Sequence, residues 1–393
     1  MAPSVKGLGR KVKGLRLAEA LATKTAGLNK ASNANGSERT TPASQMRTGI
    51  MRQITLHGRD TILSSTVDWQ TAKSLPNLFY IGPARSGSTS FFSYCRNTSD
   101  IFTPGLKETN FLTCFDMRFS GPGDKQIFHS GINFANLDQG GEQHCAITTS
   151  LSDYLALYAM HQKEKWVVDI SPSYSFYFDR FARNVGALTD VPSVIFLPRD
   201  PVDRAISNYK SLFGRKPPET ILETYGFEQN RLARGWEFYW SICGQGQYSR
   251  VVQGLKDCGI RSLVDTYERV YGEKSGAPIS DFLQTEAYPV SKRANKTERA
   301  RFIELADRGD LIFDAGEPTE AYLNRYEHDP ASRHGISIDD DGNWAAEMCD
   351  TTIINLLRPF VADVMQLVRM PELAEPVSNW TSYKQMKRLK LLR

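Results

Sequence analysis

Two stretches of the 393-residue chain place glycine, hydroxyl and guanidinium groups in the order that anion binding needs. The first is Gly82-Pro83-Ala84-Arg85-Ser86-Gly87-Ser88-Thr89-Ser90. It follows the apolar run Leu78-Phe79-Tyr80-Ile81 and precedes a helical pattern from Ser88 to Cys95. In that strand-loop-helix setting, backbone N–H groups cradle phosphate. Nucleoside triphosphatases carry a lysine where Ser88 stands, on the β- and γ-phosphates. Here the cation is Arg85, inside the turn, so the loop suits a phosphorylated ligand that is not handled as ATP. Arg85, Ser86, Gly87, Ser88, Thr89 and Ser90 are its expected contacts, and an unliganded Ser/Gly turn is the alternative for this loop alone.

The second stretch is Arg199-Asp200-Pro201-Val202-Asp203-Arg204-Ala205-Ile206-Ser207-Asn208-Tyr209. Arg199 ends an apolar run, Ser193 to Leu197, and Asp200-Pro201 supplies an N-cap followed by proline at the first helical position. A guanidinium beside a helix N-terminus attracts an anion twice over. Ser207, nearly two turns into the helix, projects toward the same anion. The alternative is a solvated cluster in which Arg199 and Arg204 pair with Asp200 and Asp203.

These loops need a scaffold that brings strand ends together. Trp166-Val167-Val168-Asp169-Ile170 and Arg261 to Tyr267 read as further strands, and Val202, Ile206 and Tyr209 recur at helical spacing. Ile353 to Val368 reads as an amphipathic helix broken at Pro359. Short buried strands alternating with helices predict an α/β fold with a doubly wound parallel sheet and a P-loop-like phosphate site. Such sheets bind ligands at the carboxyl ends of their strands, here just after residues 81, 170 and 197.

Composition narrows the class. Apolar residues make up 40% and aromatics 11%, enough for a real core, and the net charge is +4. Nine basic and two acidic residues fall within residues 1–50, so the remainder is slightly acidic and a nucleic-acid-binding body is disfavoured. The expected division is a basic leader over 1–50, with linker-like composition from Ala31 to Thr48, and one domain over 51–393. No apolar run approaches the ~18–20 residues of a membrane helix. The six cysteines lack metal-ligand spacing, which fits free thiols in a reducing, cytoplasmic compartment. The six histidines, His144 among them, read as surface or core residues, and Trp236, Phe238, Tyr239 and Trp240 as a buried helix face, with the lining of a ligand cleft as the alternative.

Taken together, the loops resemble those of sulfotransferases that use 3′-phosphoadenosine-5′-phosphosulfate (PAPS). Pro83 to Thr89 resembles the family's 5′-phosphosulfate loop, and Arg199 to Tyr209 its 3′-phosphate motif. Lys107-Glu108-Thr109-Asn110-Phe111-Leu112 resembles the K-E-x-x-F-F segment of carbohydrate sulfotransferases, and Asp169-Ile170-Ser171-Pro172-Ser173-Tyr174 their [DE]-x-S-P-x-Y segment. The likeness runs from about residue 76 to 380. Many members carry lysine where Arg85 stands, and the histidine base of cytosolic members has no counterpart segment here. Ser291 to Lys296 is the best candidate for a late phosphate-clamping loop, and Tyr248 for stacking on adenine.

The resemblance implies a PAPS-dependent sulfotransferase acting on a hydroxyl, less readily an amine, of a carbohydrate or small molecule, with PAPS as co-substrate and no metal. Glu108 is the expected general base and Asp169 its alternative or an orienting group. Arg85, with Lys107 assisting near the acceptor, neutralises the departing phosphate, while Arg199 and Ser207 hold the 3′-phosphate. A metal-dependent kinase on the same fold and a nucleotide-binding module without turnover remain the competing readings.

Overall fold

In a computed structural model the described residues are 51–68, 75–122, 126–127, 131–213, 221–273, 276–286, 302–304, 335–338, 344–347 and 350–392. The basic leader over 1–50 and the Ser291–Lys296 segment lie outside them.

In chain order the elements that build the site are β1 (Met51–His57), β2 (Ile62–Asp68), β3 (Leu78–Tyr80), α1 (Ser88–Arg96), β4 (Ile101–Phe102) and β5 (Leu106–Glu108). They continue with β6 (Gln143–Cys145), β7 (Trp166–Ile170), α2 (Phe178–Leu188), β8 (Ser193–Phe196) and α3 (Pro201–Phe213). α4 (Ser249–Asp257), β9 (Arg261–Val264) and α5 (Thr381–Arg388) complete the set.

Five strands pair in the order β9-β8-β3-β7-β4, every pair parallel. This is the sheet that the short apolar runs predict. Alternation along each strand divides the core. Leu78, Tyr80, Val168, Ile170 and Ile195 pack with Phe91 and Tyr94 of α1 on one face. Phe79, Val167, Val194 and Phe196 pack with α2, α3 and α4 on the other. A strand buried on both faces must be apolar at every position, which is why these runs show no polar alternation.

Boundaries differ slightly from expectation. β3 and β8 each stop one residue short of the apolar run, yet the Ile81 N–H still donates to the Ile195 carbonyl at 3.0 Å. β9 ends at Val264 rather than Tyr267 because the Asp265 carboxylate turns back onto the Thr266 N–H at 2.8 Å. The terminal helix breaks where Pro359 sits, in a single 3₁₀ turn from Arg358 to Phe360.

Two features had no signal strong enough to read. The antiparallel hairpin β1–β2 pairs Met51 with Asp68 through His57 with Ile62. It is tied to α2 by buried Asn184, which accepts from the His57 N–H at 2.7 Å and donates to the carbonyls of His57 (2.9 Å) and Leu112 (2.8 Å). β5 and β6 form a parallel pair that sets Glu108 opposite Cys145, beside His144.

Candidate active site

The loop after β3 is shaped by two left-handed residues. Gly87 has φ 93°, and a Cβ there would fall 2.4 Å from the Tyr271 ring, so glycine is required. Arg85 also has φ 72°, a conformation that costs a non-glycine residue of order 1–3 kcal/mol and collects at functional sites. Tyr271 donates to the Gly87 carbonyl at 3.2 Å, Tyr80 to the Ser86 carbonyl, and the Ala84 N–H to Gln245 Oε1 at 3.2 Å. With its carbonyls held this way, the loop leads straight into the N-terminus of α1, whose first N–H groups have no helical partner. Ser86 Oγ is wholly buried without a hydrogen bond, an orphan in the middle of an anion loop.

The second loop closes against the first. Arg199 Nη1 donates to the Arg85 carbonyl at 2.9 Å, and Arg85 Nε donates to Ser207 Oγ at 3.0 Å. Arg199 also lies over the Tyr267 ring, 5.0 Å from its centre. Burial and the neighbouring Arg199 charge lower the Arg85 pKa, with Glu108 opposing. Burial lowers that of Arg199 too, but Asp203, Tyr267, Glu268 and Asp200 outweigh it and leave the net shift upward. Two desolvated guanidiniums held together form a receptor for an anion.

The solvated-cluster alternative is not what forms. Asp200 is buried and caps α3, accepting from the Val202 N–H at 3.0 Å and the Asp203 N–H at 3.3 Å, while Oδ2 accepts from the Ser382 N–H of α5 at 2.8 Å. Glu268 accepts from the Asp200 N–H and from the Trp380 indole, both at 2.9 Å. Burial pushes Glu268 up to about 7. Arg204 points elsewhere, wholly buried and donating to the Ile242 carbonyl.

β5 brings in the third component. Lys107 Nζ lies 3.3 Å from both Ser88 Oγ and Thr89 Oγ1 and 2.7 Å from Glu108 Oε1. The cation missing from position 88 is therefore supplied by another strand, over the same loop residues. Lys107 and Glu108 are buried together, their side chains 4% and 3% exposed. Tyr239 donates to Glu108 Oε2, and His144 Nε2 stands 3.6 Å from Oε1.

Asp169 is placed differently. It is wholly buried, and four hydroxyls donate to it: Tyr174 (2.6 Å), Tyr154 (2.8 Å), Thr109 (3.0 Å) and Ser171 (3.1 Å). Burial raises its pKa and those hydroxyls oppose the rise. Thr109 follows Glu108, so this hub fixes the backbone that carries the Lys107–Glu108 pair. Tyr248 cannot stack on a base: it is 1% exposed and packed between Phe196 and Trp380.

Arg85, Ser86, Gly87, Ser88, Thr89, Lys107, Glu108, Arg199 and Ser207 thus come together, while Ser90 lies in the first turn of α1 and Asp169 beneath β5. Gln245, Tyr267 and His144 were missed, and Tyr239 was read at the site only as the alternative to a buried face. Tyr239 belongs to a short 3₁₀ turn, Phe238–Trp240, and not to a buried helix. Its neighbours Trp236 and Trp240 are buried. Among the described residues no group of three or more His, Cys, Asp or Glu is placed to hold a metal, and no helix is long and apolar enough to cross a membrane.

No curated protein matches the chain. Among solved structures, a sulfotransferase from Alicyclobacillus acidocaldarius is similar over 56% of this chain and 85% of its own, at 23% identity and a TM-score of 0.45. The sulfotransferase domain of the Synechococcus PCC 7002 olefin synthase is similar over 72% and 93%, at 16% identity and a TM-score of 0.34. Residues 76–252 match the profile of the sulfotransferase family, a span that holds both anion loops, the Lys107–Glu108 pair and Asp169.

Proposed function

We propose that the protein transfers a sulfuryl group from PAPS to the hydroxyl of a carbohydrate or small-molecule acceptor. The observation that carries this reading is the continuity of the two loops through Arg199, Arg85 and Ser207. A nucleotide phosphorylated at both the 5′ and 3′ positions needs anion sites on both loops at once. ATP needs only the first. The orphaned Ser86 Oγ supports an anionic ligand at the phosphosulfate loop.

In this reading Arg85 and Lys107, with the N–H groups of α1, balance the charge that builds on the departing phosphate oxygen. Arg199 and Ser207 grip the 3′-phosphate. Glu108 is the carboxylate of the general base, a function typically worth ~10²–10⁴-fold. Asp169 holds the Thr109 hydroxyl and so positions Glu108. The competing kinase reading lacks support in Asp169, whose oxygens are engaged by hydroxyls instead of facing a metal site.

Calorimetric titration with 3′-phosphoadenosine-5′-phosphate and with ATP–Mg²⁺ tests the assignment. Micromolar binding of the first, at least tenfold tighter than the second, is expected. Preference for ATP, or indifference to the 3′-phosphate, refutes it.

A further inference from the structure

Glu108 is poorly placed to meet an acceptor directly. Its side chain is 3% exposed, Lys107 occupies Oε1, and Tyr239 occupies Oε2. The group at that carboxylate that does reach the open side is His144, on β6, with its side chain 70% exposed. Its Nε2 faces Glu108 Oε1 at 3.6 Å, and its other ring nitrogen has no partner among the described residues. A small movement closes that distance to a hydrogen bond, and catalytic hydrogen bonds are commonly long before substrate arrives.

We propose that the general base is a Glu108–His144 dyad in which His144 takes the acceptor's proton and Glu108 orients the ring. The proposal deepens the sulfuryl-transfer reading and rests on it. Glu108 holds the proton on Nε2, leaving the Nδ1 lone pair for the acceptor. As the acceptor oxygen bonds to sulfur, the sulfur–oxygen bond to the 5′-phosphate breaks and its electron pair leaves with the nucleotide. The hydroxyl proton passes to Nδ1, and the imidazolium so formed is stabilised by Glu108 before releasing its proton to water. This is the carboxylate–histidine arrangement in which the buried acid fixes tautomer and orientation without itself being protonated.

The charged groups facing the ring are Glu108 and Lys107 on β5 and Arg85 on the first loop. Desolvation of its inner side lowers the His144 pKa, Lys107 and Arg85 lower it further, and Glu108 opposes them. The ring is therefore biased toward its neutral form, the form a base requires, and activity is expected to fall on the acid side as it protonates.

Ring-nitrogen NMR on the full chain tests the coupling without any acceptor. His144 is expected to titrate below ordinary histidine, and Glu108→Gln to move that titration lower still, since the carboxylate is what opposes the fall. An unmoved titration overturns the dyad. Sulfate release from ³⁵S-labelled PAPS, with water as acceptor, gives the kinetic arm. His144→Ala is expected to lose at least ~30-fold, to regain activity with added imidazole, and to bind 3′-phosphoadenosine-5′-phosphate within about twofold of the wild type. Release within threefold of the wild type leaves Glu108 as the direct base and refutes the proposal. Loss of nucleotide binding in the wild type would instead count against the donor assignment, with the titration still deciding the dyad.

Discussion

Arg85 donates to Ser207 at 3.0 Å across 122 residues of sequence, joining the turn after β3 to the second helical turn of α3. Arg85 makes this bond while its backbone adopts φ 72°. Backbone strain and a partly desolvated charge are both carried at one residue, whose pKa is lowered by burial.

Arg85→Gly removes that strain and that charge together, and glycine adopts φ > 0 freely. The variant is expected to unfold at the same temperature or a few degrees higher, while losing at least ~30-fold in affinity for 3′-phosphoadenosine-5′-phosphate. A clear fall in melting temperature would show that Arg85 stabilises the loop and is not strained by it.

Ser207→Ala and Arg199→Ala act on the other anion. A hydrogen bond to a charged group contributes about 1.5–3 kcal/mol, roughly 10–100-fold in binding. Calorimetry should show that loss for the 3′-phosphorylated nucleotide and much less for its 3′-hydroxyl counterpart. Equal losses for both ligands would remove these residues from the 3′ site.

Glu108→Gln is expected to bind nucleotide nearly as the wild type does and to turn over at least ~100-fold more slowly. Lys107→Met leaves Glu108 buried without its counter-charge, a change that costs about 3–5 kcal/mol. Urea unfolding of the double variant Lys107→Met, Glu108→Gln should recover much of that loss. Additive losses would mean that the two side chains are not energetically paired.

How far the sequence carried this site depends on the kind of signal. Loop residues such as Arg85 and Arg199 sit where strand ends and turn residues mark them, so both were legible. The apolar runs likewise predicted a parallel sheet, although neither its strand order nor the hairpin β1–β2, whose burial is partial. Contacts made through tertiary approach were not legible. Nothing about Lys107 indicates that it covers Ser88, and nothing about Tyr239 that its hydroxyl meets Glu108, since both depend on how β5 and the 238–240 turn converge. Asp169 was legible as a strand-end acid, but its four hydroxyl donors come from scattered positions.

Asp169→Asn replaces an acceptor of four hydroxyls with a group that must itself donate on one side. With the site fully buried, a loss of about 2–4 kcal/mol in unfolding free energy is expected, with nucleotide affinity preserved in the folded fraction. A variant as stable as the wild type but catalytically dead would return Asp169 to the role of base.

Glu268 makes stability depend on pH. Its folded-state pKa is raised from the ordinary 4.5 to about 7 by burial, so the native state binds the proton more tightly than the unfolded chain. That contribution is present below about pH 4.5 and is lost as pH rises through 7. At about 1.4 kcal/mol for each tenfold difference in proton affinity, it amounts to roughly 3 kcal/mol. Denaturant titrations from pH 5 to 8 should show the decline in the wild type and a flatter profile in Glu268→Gln. Identical slopes would remove Glu268 as the cause.

The links from Asp200 to Ser382 and from Glu268 to Trp380 have a consequence for biosynthesis. A nascent chain emerging from the ribosome displays every anion-binding residue long before residues 380–382 are made. Until then the carboxylate that caps α3 lacks one of its donors, and Glu268 has no indole to receive. The two anion-binding loops therefore gain these supports only once α5 has docked behind them.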